Sequence, residues 1–135
     1  MDDCIFCKIV KGDIPSYKIY EDKYTYAFLD IAGDVEGHTL VIPKSHCTNV
    51  LDASNETLHH VMDTVKLIST HYVNNCKYSG VNIINATGKD AEQSVLHLHF
   101  HVFPRKFNDG VNGFPHNEKK ELDFNFIKNK LQITK

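Results

Sequence analysis

Apolar and polar positions change their period several times along this chain, and each change predicts an element. Leu58, Val61, Met62, Val65, Ile68 and Tyr72 recur at helical spacing. With Asp52 or Ser54 available as N-cap, they predict one long helix over 54–75. Upstream the period is two. Lys18-Ile19-Tyr20 and residues 24–29 flank the turn residues Glu21-Asp22-Lys23 and predict a hairpin. A loop over 32–37 leads into a strand at 38–42, closed by Pro43. Residues 81–85 predict a further strand and 87–92 a loop. Near the start, Ile5, Phe6, Ile9 and Val10 make a short helical stripe that ends at Gly12, with Pro15 beyond. Residues 108–115 are turn-rich, and Phe124, Ile127 and Leu131 predict a terminal helix. With no internal repeat and no linker, 135 residues make one domain.

The strictest alternation runs from Gln93 to Val102. His97, His99 and His101 fall at every second position, with Leu96, Leu98, Phe100 and Val102 between and after them. As a strand, this stretch sets three imidazoles in a row on one face and turns the apolar residues to a core. Each ring nitrogen needs a partner, so the stretch reads as the chemical site. Single histidines are usually structural, and His-X-His pairs often bind metal. A hydrolase using all three as metal ligands therefore stays open. His46 alone reads as a surface or capping residue, and His59, His60 and His71 as structural or solvated positions of the long helix.

Composition narrows the classes. Hydrophobic residues at 41% and charged residues at 24% are those of an ordinary soluble protein. A net charge of −2 gives no electrostatic case for nucleic acid. No apolar run has the length of a membrane span, and Met1-Asp2-Asp3-Cys4 lacks the basic start of a signal peptide, so the expected place is the cytosol. There, Cys4, Cys7, Cys47 and Cys76 read as thiols or metal ligands. Cys4-Ile5-Phe6-Cys7 favours zinc over redox chemistry, because no βαβ pattern surrounds it. Two further ligands must then come from elsewhere.

Two long motifs resemble a known family. Gly37-His38-Thr39-Leu40-Val41-Ile42-Pro43-Lys44-Ser45-His46 and Gln93 to Val102 are similar to the histidine-triad (HIT) superfamily, whose signature is His-φ-His-φ-His-φ-φ with φ apolar. Cys-Ile-Phe-Cys-Lys-Ile-Val at 4–10 and Phe-Leu-Asp-Ile at 28–31 match its Hint branch in the cysteine-containing form. The resemblance covers a core of about 4–105 and leaves 106–135 as a tail. It implies an α+β fold: an antiparallel sheet of about five strands, one long helix, and a two-fold homodimer. It also implies hydrolysis or transfer at the α-phosphorus of a purine nucleotide conjugate, of the nucleoside 5′-phosphoramidate type.

On that mapping His99 is the nucleophile and forms a covalent nucleotidyl intermediate. His101 donates to a non-bridging oxygen, and the His97 carbonyl accepts the second ring N–H of His99. Ser94 assists the leaving group, and Asn85 and Gln93 hold the phosphate. Asp30 takes the ribose hydroxyls, and Ile5, Phe6, Phe28 and Ile31 wall the base. In cysteine-containing members, the residues matching Cys4, Cys7, His46 and His97 bind one structural zinc. Glu92 departs from the family, which often has glycine there; a negative side chain at that point is expected to narrow the phosphate pocket or disfavour highly charged substrates. Two readings of other kinds remain beside this one, a dinucleoside polyphosphate hydrolase of the same superfamily and a nucleotide-binding adaptor without turnover.

Overall fold

A computed structural model describes residues 3–134; Met1, Asp2 and Lys135, which the single-domain expectation includes, lie outside the described residues. The chain begins with helix α1 (Ile5–Lys11). Cys4 caps it through Sγ, which accepts from the Cys7 N–H at 3.4 Å. Gly12 ends it at φ +86°, a left-handed turn that glycine adopts without steric cost.

Five strands follow, β1 (Lys18–Glu21), β2 (Thr25–Leu29), β3 (Thr39–Pro43), β4 (Gly80–Ile84) and β5 (Phe100–Arg105). They form one antiparallel sheet in the order β1-β2-β3-β5-β4. The expected hairpin is β1–β2. Its turn is set by Asp22, whose Oδ1 accepts from the N–H groups of Tyr24 and Thr25 at 2.8 Å.

Helix α2 (Asn55–Asn75) covers one face of the sheet, as its periodicity predicts. Ser54 caps it, with Oγ accepting from Thr57 N–H at 3.1 Å, while Asp52 caps the preceding turn at Thr48 and Asn49. Val61, Val65, Ile68 and Tyr72 pack on Ala27, Val41, Leu98 and Val102. Each such buried side chain contributes roughly 1.5–3 kcal/mol. Met62, expected in that stripe, is 45% exposed instead. The inward position belongs to Thr64, whose hydroxyl lies 2.7 Å from that of Thr25 and so satisfies two buried polar groups at once.

Alternate residues of the same strands face the other way. Tyr26, Phe28, Leu40 and Ile42 pack under Phe6 and Ile9 of α1. Because α1 and α2 cover opposite faces, β2 and β3 are apolar on both sides, and the histidines fall on the α1 side.

Three expectations need correction. The strand expected to begin at Gln93 begins at Phe100. Leu96, expected against the core, is 64% exposed. The segment before Phe100 is held by other bonds: Leu98 N–H donates to Cys47 O at 2.8 Å, and the Gln93 side chain donates to the carbonyls of Thr48 and Val95. Of the three histidines expected on one strand, only His101 lies on β5, and His97 and His99 are buried in the segment before it. The strand that precedes α2, β3, lies inside the sheet, whose free edges are β1 and β4. The expected terminal helix is present as α3 (Phe124–Leu131), with its residues largely exposed and Asp123 as N-cap.

Candidate active site

Two clusters of side chains meet on the α1 side of the sheet, and His97 and His99 join them. The first contains Cys4, Cys7, His46 and His97, whose ligand atoms all lie within 4.8 Å of one another. Cys4 Sγ to His97 Nδ1 is 3.4 Å, Cys7 Sγ to His46 Nδ1 is 3.4 Å and to His97 Nδ1 3.6 Å, and the two Nδ1 atoms are 3.2 Å apart.

These separations can be compared with a tetrahedron. Metal–sulfur bonds of about 2.3 Å and metal–nitrogen bonds of about 2.05 Å give N···N edges of about 3.3 Å and S···N edges of about 3.6 Å. The observed set matches both. The tautomer matches as well: His97 Nε2 donates to Pro43 O at 2.9 Å, so Nδ1 carries the lone pair a metal needs. Burial, and next the neighbouring Cys4, raise the Cys7 thiol above its ordinary value. A dication at the centre would offset both effects, because thiolates are the ligating form. The four residues can hold one metal ion in a closed tetrahedral site.

The second cluster is built on His99. Its Nδ1 lies 2.7 Å from the His97 carbonyl oxygen, which only accepts, so Nδ1 carries hydrogen and Nε2 the lone pair. The ring is buried with Phe6 edge-on at 5.3 Å, and burial above all lowers its proton affinity, keeping it neutral. The carbonyl of His99 itself accepts from Asn85 Nδ2 at 3.0 Å, and Asn85 Oδ1 accepts from Thr87. Gln93 Oε1 accepts from Asn49 and from Gly88 N–H. Both amides expected around the phosphate are therefore bonded to the backbone segments that carry the site.

His101 stands 5.0 Å from His99 between ring centroids. Burial is the main cause that lowers its pKa to about 4. Its Nδ1 lies 2.8 Å from Nε2 of His38, a residue the pattern of the sequence did not single out. His38 in turn meets Asp34 Oδ1 at 2.9 Å through Nδ1 and lies 3.7 Å from Asp30 Oδ2. Asp30, His38 and His101 also form a possible ligand group. The 2.8 Å N···N contact of His38 and His101 has a hydrogen-bond length and is shorter than a tetrahedral edge of about 3.3 Å.

The remaining expected residues differ in exposure and surroundings. Ser94 is exposed and, with Cys4, Ile5, His46 and Leu96, lines a cavity of about 460 Å³. Asp30 turns its Oδ1 to Ala32 N–H at 2.8 Å. Phe6 and Phe28 are buried in the core, whereas Ile5 is half exposed and Ile31 is 82% exposed. Glu92 adopts φ +69° with its side chain exposed. Glycine takes that conformation freely, whereas a residue with a Cβ does not.

Residues 11–108 match the model of the HIT domain. Over 103 residues the chain is 44% identical to adenosine 5′-monophosphoramidase HNT1 of Saccharomyces cerevisiae, spanning 76% of this chain and 63% of that protein. The crystal structure of a member of the HIT family from Bacillus subtilis superposes with a TM-score of 0.83 at 37% identity, covering 98% of this chain and 99% of that one. A Zn-bound histidine triad family protein from Mycobacterium smegmatis gives a TM-score of 0.77 at 38% identity, covering 82% and 81%.

Proposed function

The chain belongs to the HIT family, and on that premise we propose that it is a phosphoramidase-type hydrolase acting at the α-phosphate of purine nucleoside 5′-monophosphates joined to an amine. The observation that carries this reading is the tautomer of His99. A buried neutral ring whose Nδ1–H is spent on a carbonyl offers its Nε2 lone pair, which is the nucleophile phosphoryl transfer requires.

In the proposed reaction His99 Nε2 bonds to the α-phosphorus while the phosphorus–nitrogen bond to the amine breaks. The amine leaves with a proton relayed by the Ser94 hydroxyl. Water then displaces the histidine and releases the nucleoside monophosphate, so that one difficult displacement becomes two easier ones. His101 lies against the non-bridging oxygens, and Asn85 and Gln93 serve the phosphate through the backbone they hold. Asp30 binds the ribose hydroxyls, and Ile5, Phe6, Phe28 and Ile31 wall the base.

Cys4, Cys7, His46 and His97 hold zinc in this reading, a proposal supported by the tetrahedral distances and the Zn-bound relative. The ion ties α1 to the segment that carries His99, and all four positions are filled by protein, so it is structural. The free cysteines and the absence of a helix long and apolar enough to cross a membrane among the described residues accord with a cytosolic protein. A two-fold homodimer formed through the free β4 edge and the exposed Met62 and Leu67 of α2 would remove an open sheet edge.

The experiment is turnover of an adenosine 5′-phosphoramidate by the protein and by His99→Asn. We expect turnover to vanish in the variant while adenosine 5′-monophosphate still binds. Undiminished turnover by the variant overturns the reading. Hydrolysis of a diadenosine polyphosphate in preference to the phosphoramidate would assign the other branch, and affinity without turnover in the unmodified protein would assign an adaptor.

A further inference from the structure

We propose that the carboxylate of Asp34 sets the direction of the hydrogen-bond chain through His38 and His101, so that a phosphate-bearing ligand binds with uptake of one proton by that histidine pair. This coupling presupposes the nucleotide site proposed above.

An ionised carboxylate accepts hydrogen bonds and never donates them. Asp34 Oδ1 lies 2.9 Å from His38 Nδ1, so that nitrogen carries a hydrogen; the same oxygen also accepts from Val35 N–H. His38 hydrogen-bonding holds the Asp34 carboxyl below its usual range, keeping it ionised. In a neutral His38 the lone pair then sits on Nε2. The 2.8 Å contact to His101 Nδ1 must therefore run from His101 to His38. A neutral His101 that donates from Nδ1 has a bare Nε2, and a bare nitrogen repels a phosphate oxygen.

One added proton reverses this. It enters at His101 Nε2, and the Nδ1 proton passes to His38 Nε2. The positive charge then rests on His38 between Asp34 and Asp30, whose Oδ2 lies 3.7 Å away. His101 now donates to the phosphate oxygen. The proton comes from solvent, and no other bond changes.

The surroundings favour a charge at His38 over one at His101. Facing His38 are Asp30 and Asp34 from the loop between β2 and β3, and His101 and the edge of Phe103 from β5. Facing His101 are two other imidazoles, His99 and His38, with Asp30 and Asp34 acting across His38. Glu36 of the same loop turns away to Tyr78 and Lys106. The loop is held close to β5 at Gly37, which has φ +80°, where an added Cβ would come within 2.9 Å of Pro104 Cγ. Asp34 is thus carried on a segment with little freedom to swing away.

The test is calorimetry of adenosine 5′-monophosphate binding at pH 8, in two buffers of different ionisation heat, on the full chain and on Asp34→Asn. The full chain is expected to take up one proton more than the variant. A carboxamide can turn its NH₂ toward His38 Nδ1 and so permits the reversed chain without any added proton. Protonation of the ligand's own phosphate contributes equally to both. Asp34→Glu, which keeps the charge, is expected to restore the uptake. Equal uptake in the full chain and Asp34→Asn overturns the proposal. Ring-¹⁵N spectra of the ligand-free protein give a second readout, with His101 Nε2 expected bare in the full chain; an Nε2–H there also overturns it. Absence of any binding heat would sink the nucleotide reading instead, and the spectra would still decide the direction of the chain.

Discussion

The Nδ1 atoms of His46 and His97 stand 3.2 Å apart, although the other nitrogen of His97 is already committed as a donor to Pro43 O. Two imidazole lone pairs at that distance are unfavourable unless a cation or a proton lies between them. The two cysteine sulfurs complete a set of donors around one centre, and the cluster joins α1 to the segment that carries His99.

Cys7→Ser is accordingly expected to lose the metal, because a serine hydroxyl does not ionise to replace a thiolate. Loss of a structural metal belongs among the large effects on stability, on the order of 4 kcal/mol. Metal content and the thermal midpoint would both fall, whereas turnover per folded molecule would fall less. Zinc-free protein with an unchanged midpoint would remove the structural role.

Acid should unfold the protein in a defined window. Burial is the first cause that lowers both His97 and His101 to about 4, against about 6.5 for an unfolded histidine. Between those values the unfolded chain binds protons that the folded chain excludes. Stability is therefore complete above pH of about 6.5, declines as pH falls toward about 4, and levels there for these two groups. Metal binding adds a slope of the same sign, since ligands must be deprotonated. Denaturation midpoints measured across this range with and without chelator separate the two. The histidine slope should persist in chelator, and a flat profile there would contradict it.

Glu92→Gly should stabilise the fold. A non-glycine residue at φ +69° carries a backbone cost of about 1 kcal/mol. Its removal is expected to raise the thermal midpoint and leave turnover of the phosphoramidate within about twofold, because the Glu92 side chain is exposed. A lower midpoint would mean that the carboxylate has a favourable partner that outweighs the strain.

Strands β1 to β3 were legible as short runs bounded by turn residues, and helix α2 because its apolar residues keep one period from end to end. The stretch from Gln93 was misread for the same reason. Its alternation is that of a strand, but His97 and His99 direct ring N–H groups to backbone carbonyls, and Gln93 does the same with its amide. Side chains there take the place of ladder hydrogen bonds, and no count of apolar positions distinguishes the two. Cys4, Cys7, His46 and His97, named from the family resemblance, come together as a group, yet spacing alone had offered only the cysteine pair. His38 appeared only inside the family motif, with no role attached, and Asp34 gave no sign. A single histidine opening a strand and an aspartate in a turn-rich loop are ordinary, and their meaning comes from pairing of β3 with β5 across more than sixty residues.

The acceptor that orients His99 is a main-chain carbonyl, and every amino acid possesses one. No amino-acid substitution deletes it; a change at position 97 replaces the imidazole but leaves that oxygen in the peptide. Asp34, by contrast, is a side chain half open to solvent, and exchanging it changes the charge behind His38 at once. Heritable variation therefore has unequal access to these two features: the orientation of the His99 ring is sheltered, whereas the charge behind His38 is open to selection.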